Sequence, residues 1–304
     1  MKKKINQQGT LQRDSSEAIS SNSNKDAVLF KEIVLPDQSF INWFLGFCEG
    51  HENIFLVNRR YLRFELNSTL NNGDILYLIK KKLKFGKIKK IRFLDGIIVE
   101  FSVQTDINGL IVLTHIFNGN LRCTQKEQHF RIFYNKLKVK LKKMNLLSLL
   151  PDYICKVKDI NLLNSWLCGF IDSRCLLYGR FQKSKKLKEG KRLYIVIFFW
   201  SLSDQLLNKI KDSLNLVGKI EKKEKWNLPF FKLTLENFDD KVKIINYLST
   251  FKLKSLKIEK YKYFKILLRL ESIYIKTGVQ DFEKIEKILK KLTSRSSENE
   301  LIKL

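Results

Sequence analysis

The chain has no C-x-x-C pair, and its three histidines are too few and too scattered to complete a zinc site. Five cysteines, Cys48, Cys123, Cys155, Cys168 and Cys175, are an odd number for a disulfide framework. With no secretory signal in view, they point to a reducing compartment. Cys48 and Cys168 fall in apolar helical segments and read as packing residues. No stretch reaches the roughly 20 apolar residues of a membrane-spanning helix. The longest apolar run, Leu193–Trp200, has the length of a buried strand. Acidic residues are also short: Asp+Glu is 31 against Lys+Arg 58, a net charge of +27.

That imbalance makes a lone folded chain repel itself unless a polyanion neutralises it. Nucleic acid is the usual polyanion, with Lys and Arg contacts to phosphate supplying most of the affinity. No membrane association is expected. Hydrophobic residues make up 44% of the 304 residues, enough for real cores, and the length suits two domains. Only three prolines occur, and the composition leans to Lys, Ile, Asn, Phe and Leu. Most of those residues have A/T-rich codons, which suggests an organellar gene and a place in a mitochondrion or chloroplast. Residues 1–36 read as a disordered basic tail, with no apolar run for a signal peptide.

An internal repeat organises the rest. Trp43, Gly46, Phe47 and Glu49 form a Trp-x-x-Gly-Phe-x-acid segment, and Trp166, Gly169, Phe170 and Asp172 form a second, one domain length later. The two segments lead into similar successions of elements. The first copy predicts strands over Ile54–Arg60 and Tyr61–Ser68, then a helix over Asp74–Leu83 with Asp74 as N-cap and Gly86 past its end. A hairpin comes next, Lys87–Phe93 and Ile97–Val103 around an Asp-Gly turn, and then helices over Asn108–Phe117 and Lys126–Lys143. The second copy predicts strands over Leu176–Lys183 and Lys191–Trp200. A helix runs from Ser203-Asp204 to Leu216, ended by Gly218. A hairpin, Lys219–Lys225 and Phe230–Glu236, turns at 226–229, and helices come after it over Asp239–Leu248 and Lys257–Ser272. The expected units are 37–145 and 161–275, joined by a linker at 146–160. A helix over Asp281–Leu292 and a frayed tail lie in 276–304.

The paired motifs, the element order and the spacing resemble the two-motif LAGLIDADG homing endonucleases and intron maturases over residues 37–275. The resemblance implies an α+β fold of two pseudo-symmetric αββαββα domains in one chain, an internal pseudo-dimer that is monomeric overall. Trp43, Gly46, Phe47, Trp166, Gly169 and Phe170 then lie on two helices that pack together, the glycines permitting close approach. The sheets form a basic saddle for nucleic acid. Its contact candidates are Asn58, Arg59, Arg63, Lys89, Arg92, Arg180, Lys183, Lys222 and Lys225, with Lys185 in the loop after its strand.

The family's chemistry is metal-assisted phosphodiester hydrolysis, with a carboxylate from each motif two residues beyond the first acid. Here those positions hold His51 and Arg174. Arg174 sets a positive charge where a cation should sit. If His51 is an inserted residue, Glu52 stands in as one ligand. No metal or other cofactor is therefore expected, Mg²⁺ only if cleavage is retained. Two readings stay open. In one, the chain keeps the binding saddle without cleavage and acts on RNA, as an intron maturase, an RNA-folding factor or a ribosomal or other ribonucleoprotein component. The basic helix at 126–143 and residues 2–4 suit the last role. In the other, it is a site-specific double-strand DNA endonuclease working through Glu52.

Overall fold

The computed structural model describes residues 33–94, 96–185, 190–225 and 228–293. Most of the expected N-terminal tail, the frayed C-terminal end and the tips of both expected hairpin turns lie outside the described residues. From Leu35 onward the described residues form one compact unit.

The first half runs α1 (Gln38–Gly50), β1 (Phe55–Val57), β2 (Leu62–Thr69), α2 (Asp74–Leu83), β3 (Lys87–Phe93), β4 (Gly96–Val103), α3 (Ile107–Phe117) and α4 (Thr124–Lys143). The second half repeats it: α5 (Trp166–Arg174), β5 (Cys175–Lys183), β6 (Lys191–Ser201), α6 (Asp204–Ser213), β7 (Lys219–Lys225), β8 (Leu228–Leu235), α7 (Phe238–Thr250) and α8 (Lys257–Thr277). A last helix, α9 (Phe282–Thr293), closes the chain. The strands form two antiparallel four-stranded sheets, ordered β1-β2-β4-β3 and β5-β6-β8-β7. Among the described residues no helix is long and apolar enough to cross a membrane.

Side chains alternate across a strand, so each sheet has two chemically distinct faces. In β2, Leu62, Phe64 and Leu66 are buried against helices, and Arg63, Glu65 and Asn67 stand on the other face. The aromatic core behind the first sheet includes Phe44, Phe55, Phe64, Phe117 and Phe130, with Phe55 edge-on to Phe117 at 5.1 Å. In β6, Ile195, Ile197 and Phe199 point into the second core. Helix α9 covers part of that face. Its Ile285, Leu289 and Leu292 are buried, and Leu289 packs over Gly179 of β5. The segment at 146–160 also packs on the first half. Tyr134 donates to the Pro151 carbonyl at 2.8 Å, and Asn118 accepts from the Ile154 amide at 2.8 Å.

Several local expectations are corrected. β1 stops at Val57, because Asn58 turns the chain: its side-chain oxygen accepts from the amides of Arg60 at 2.8 Å and Tyr61 at 2.9 Å. Asn58 and Arg59 therefore sit in a turn, not a strand. Gly73 occupies the N-cap position of α2 in place of Asp74, and Lys84 rather than Gly86 closes the helix in a left-handed conformation. Helix α6 ends at Ser213, not Leu216. Asn215 takes the left-handed conformation, and the amides of Val217 and Gly218 instead bind the Asp240 carboxylate at 3.1 and 2.9 Å.

The two motif helices, α1 and α5, join the halves. Asp37 caps α1, accepting from the Phe40 amide at 2.8 Å. Apart from Asn42, residues Phe40 to Gly50 are buried, as a helix packed on all sides requires. The backbones meet at the motif glycines. A Cβ on Gly46 would stand 1.8 Å from the Trp166 carbonyl oxygen, and one on Gly169 would stand 1.9 Å from that of Trp43. Both obstructions are backbone, so a rotamer change gives no relief. We expect Gly46→Ala or Gly169→Ala to destabilise the protein by about 3 kcal/mol or more, or to prevent folding. Urea unfolding checks this; a loss under about 1 kcal/mol would show that the helices can separate.

Candidate functional site

The motif acids face the helix interface. Glu49 accepts from the backbone amides of Arg122 at 2.6 Å and Cys123 at 2.7 Å, and from the Trp166 indole at 2.7 Å. Asp172 does the reciprocal work. It accepts from the Trp43 indole at 2.9 Å and from the amides of Lys254 at 2.7 Å and Ser255 at 3.1 Å. Each acid thus ties a loop of its own half to the other half's tryptophan. Both tryptophans are fully buried, with a cation over each ring: Arg122 over Trp166 at 5.3 Å and Lys254 over Trp43 at 5.8 Å. Burial raises the Glu49 pKa, and the Arg122 charge and the three hydrogen bonds oppose the rise. These hydrogen bonds commit both acids to the helix interface.

The catalytic positions lie where the two helices end. A helix C-terminus leaves carbonyls without partners and carries partial negative charge. In this chain cations fill that role. Arg174 donates through Nε to the Gly50 carbonyl of the other motif helix, and its guanidinium lies 3.4 Å from the Glu52 carboxylate. Lys126, from α4, donates to the carbonyls of His51 and Glu52. Lys257, from α8, does the same at the end of α5, 2.9 Å from the Ile171 oxygen and 2.8 Å from that of Asp172. Burial lowers the Lys126 pKa to about 8. His51 stacks beside Phe47, its Nδ1 2.9 Å from the Phe47 carbonyl and its Nε2 3.2 Å from that of Asn67. Burial first, then the Arg174 charge, drives its pKa down to about 3.

These residues do not fit a divalent cation. Among the described residues no group of three or more His, Cys, Asp or Glu side chains is placed to hold one. Of Glu49, Glu52 and Asp172, only Glu52 turns its carboxylate to the surface, half-exposed, and Arg174 already engages it. An open pocket at the centre is lined by Glu52, Lys126, His129, Arg174 and Trp200, among others. Its charge suits a phosphate better than a metal.

Strand register decides where the expected nucleic-acid contacts stand. Arg63 and Lys89 share the helix-free face of the first sheet, because Lys89 pairs with Glu100, which pairs with Asn67. Arg63 bonds both Glu65, at 2.9 Å, and Glu100. Arg180 is on the helix-free face of the second sheet, its guanidinium 5.6 Å from the Tyr194 ring centre. Arg92, Lys183 and Lys222 pair with Ile97, Lys191 and Phe231, which places them on the helix side of their sheets. Lys185 is exposed in the turn after β5, and Lys225 ends β7. Sequence reasoning missed Lys87, Arg192, Lys219, Lys223 and Lys232, which the same register places on the helix-free faces. Counting by twos from Arg63 and Arg180, and across the pairs, would have separated the two groups.

The His51 environment has a pH consequence. The unfolded imidazole would titrate near 6.5, whereas the folded one resists protonation down to about 3. The unfolded chain therefore binds the extra proton, so stability falls as pH drops through that window. His51→Gln should flatten the slope between about pH 7 and 5 in urea unfolding. An unchanged slope would mean that His51 is protonated in the folded protein.

Residues 167–268 match the family model described as LAGLIDADG endonuclease. Over 185 residues the chain is 31% identical to "Probable intron-encoded endonuclease 4" of Neurospora crassa, spanning 59% of this chain and 32% of that protein. Over 171 residues it is 25% identical to "Probable intron-encoded endonuclease aI3" of Dictyostelium citrinum, 54% of this chain and 57% of that one. The matches thus span about a third and just over half of those relatives. Among solved structures, the meganuclease I-SmaMI bound to uncleavable DNA superposes with a TM-score of 0.65 at 16% identity, over 82% of this chain and 95% of that one. The LAGLIDADG meganuclease I-CpaMI bound to uncleaved DNA gives 0.61 at 17%, over 82% and 97%. The second half thus carries the sequence signature of the LAGLIDADG endonuclease family, and the chain as a whole has the two-sheet fold of the single-chain LAGLIDADG structures.

Proposed function

We propose that the chain is a nucleic-acid-binding protein derived from a homing endonuclease, in which cleavage has been lost. The carrying observation is Arg174. Its guanidinium occupies the end of the opposite motif helix, where the family's chemistry needs a carboxylate-bound metal. Lys126 adds a second cation beside it. Binding draws on the net charge of +27 and on the cations of the helix-free sheet faces. On the first sheet Arg63, Lys89, Asn67 and Ser102 offer the mixed donors and acceptors that base edges in a groove require. Solved relatives of this fold are described as bound to DNA, which supports a duplex as one ligand. An RNA role, as an intron maturase or a ribonucleoprotein component, accords with binding that does not cut. The names of the relatives and the A/T-leaning composition support an intron-encoded organellar origin.

The competing reading is an active double-strand DNA endonuclease. The half-exposed Glu52 carboxylate and the relatives' names favour it. Two measurements decide. A duplex selected from a random pool should bind with affinity that falls about 1,000-fold or more between roughly 50 and 200 mM salt. A flat response would refute phosphate-dominated binding. The same duplex with Mg²⁺ or Mn²⁺ should remain uncut. Site-specific double-strand breaks that vanish in Glu52→Gln would establish the endonuclease instead.

A further inference from the structure

The two helix-free sheet faces have diverged in chemistry. On the first, β2 presents Arg63, Glu65 and Asn67, with Lys89, Glu100 and Ser102 beside them and the Ile91–Ile98 pair and Phe93 toward the β3–β4 turn. On the second, β6, which holds the place of β2 in the sheet order, carries aromatic rings. Tyr194, Val196, Phe198 and Trp200 alternate with core residues along β6, and Tyr178 of β5 pairs with Val196. Tyr178, Tyr194, Phe198 and Trp200 remain part-exposed. Their rings form a row, with centroids 6.4 Å apart for Tyr178 and Phe198 and 5.8 Å for Phe198 and Trp200. Cations frame it. The Lys232 ammonium sits 3.6 Å from the Phe198 ring centre, and Arg180 lies over Tyr194. Arg192 shares the face, as do Lys219 and Lys223, which flank Glu221 at 3.2 and 2.9 Å, and Tyr194 donates to Glu236 at 2.6 Å, so the cations outnumber the two carboxylates.

Base pairs in a duplex groove show mainly hydrogen-bonding edges, which a phenyl ring cannot satisfy. Unpaired bases show π-faces, which such rings bind when cations lie within reach of the flanking phosphates. We propose that the helix-free face of the second sheet binds single-stranded nucleic acid by stacking unpaired bases on Tyr178, Phe198 and Trp200. The positive frame selects a polyanion over an uncharged apolar partner. The row ends at Trp200, on the rim of the central pocket with Arg174 and Lys126, so a strand laid along it runs toward those cations. This inference rests on the nucleic-acid-binding reading and names the ligand form that one sheet takes.

The test uses the full chain and three probes: an oligouridylate and an oligothymidylate of about 12 nucleotides, and a duplex of equal length. Tyr178→Ala and Phe198→Ala should each weaken binding of the single strands about tenfold and leave duplex binding within about twofold. Tyr178→Phe, which keeps the ring, should retain single-strand binding. Circular dichroism confirms that each variant is folded. The ratio of the two single-strand affinities tells RNA from DNA. Unchanged single-strand binding in folded Phe198→Ala, with duplex binding intact, would overturn the stacking face and leave the binding reading standing. Failure of all three probes with the unaltered protein would overturn both. A dimer in sedimentation that Phe198→Ala converts to monomer would assign the face to a second copy, and also overturns the proposal.

Discussion

The contact of two helix backbones at Gly46 and Gly169 organises the molecule. With 1.8 and 1.9 Å between a hypothetical Cβ and the opposing carbonyl oxygens, nothing larger than hydrogen fits at either crossing point. That closeness lets the Trp43 indole reach Asp172 and the Trp166 indole reach Glu49 across the pseudo-symmetric boundary. Each buried carboxylate finds three or more donors there, which its removal from water requires. Because the helices are pinned at their glycines, their C-terminal ends stay side by side.

On the proposed reading, those ends are where the chain departs from metal chemistry. Two helix termini side by side concentrate unpartnered carbonyls and partial negative charge. A metal-dependent nuclease adds carboxylates and lets a divalent cation neutralise the sum. Here Arg174, Lys126 and Lys257 neutralise the termini with the protein's own charges. The imidazole of His51, kept neutral by burial and by Arg174, adds no ligand charge. On that reading the centre is a structural joint with a basic surface.

Pseudo-symmetry holds in backbone and interface and breaks on the surfaces. The indole–carboxylate pairs and the lysine-capped helix ends recur in both halves. The helix-free faces differ along one strand, β2 presenting Arg63, Glu65 and Asn67 where β6 presents Tyr194, Val196, Phe198 and Trp200. The second half also buries Lys241 against Glu271 at 2.8 Å, and α9 is added over its sheet. Packing demands the same joint in both halves, while the solvent-facing sides are free to take up different ligands.

Much of this was legible in the order of residues alone. The repeated Trp-x-x-Gly-Phe-x-acid segments carry short-range information: a fixed spacing on a helix places glycine, tryptophan and acid on defined faces. Period-two alternation located the strands, and His51 and Arg174 stand where the family resemblance calls for carboxylates. Other features depended on pairing. Arg92, Lys183 and Lys222 lie on strands as expected, but register turns them to the helix side, and a one-residue offset suffices to do so. The left-handed Lys84 and Asn215 close their helices ahead of the expected glycines, and beyond Asn215 the amide of Gly218 binds the distant Asp240 carboxylate. Residue identities dictate the elements and the chemistry of the centre. Which side chains share a face, and which carbonyls Arg174 and Lys126 reach, depends on contacts between residues far apart in the chain, which only folding brings together.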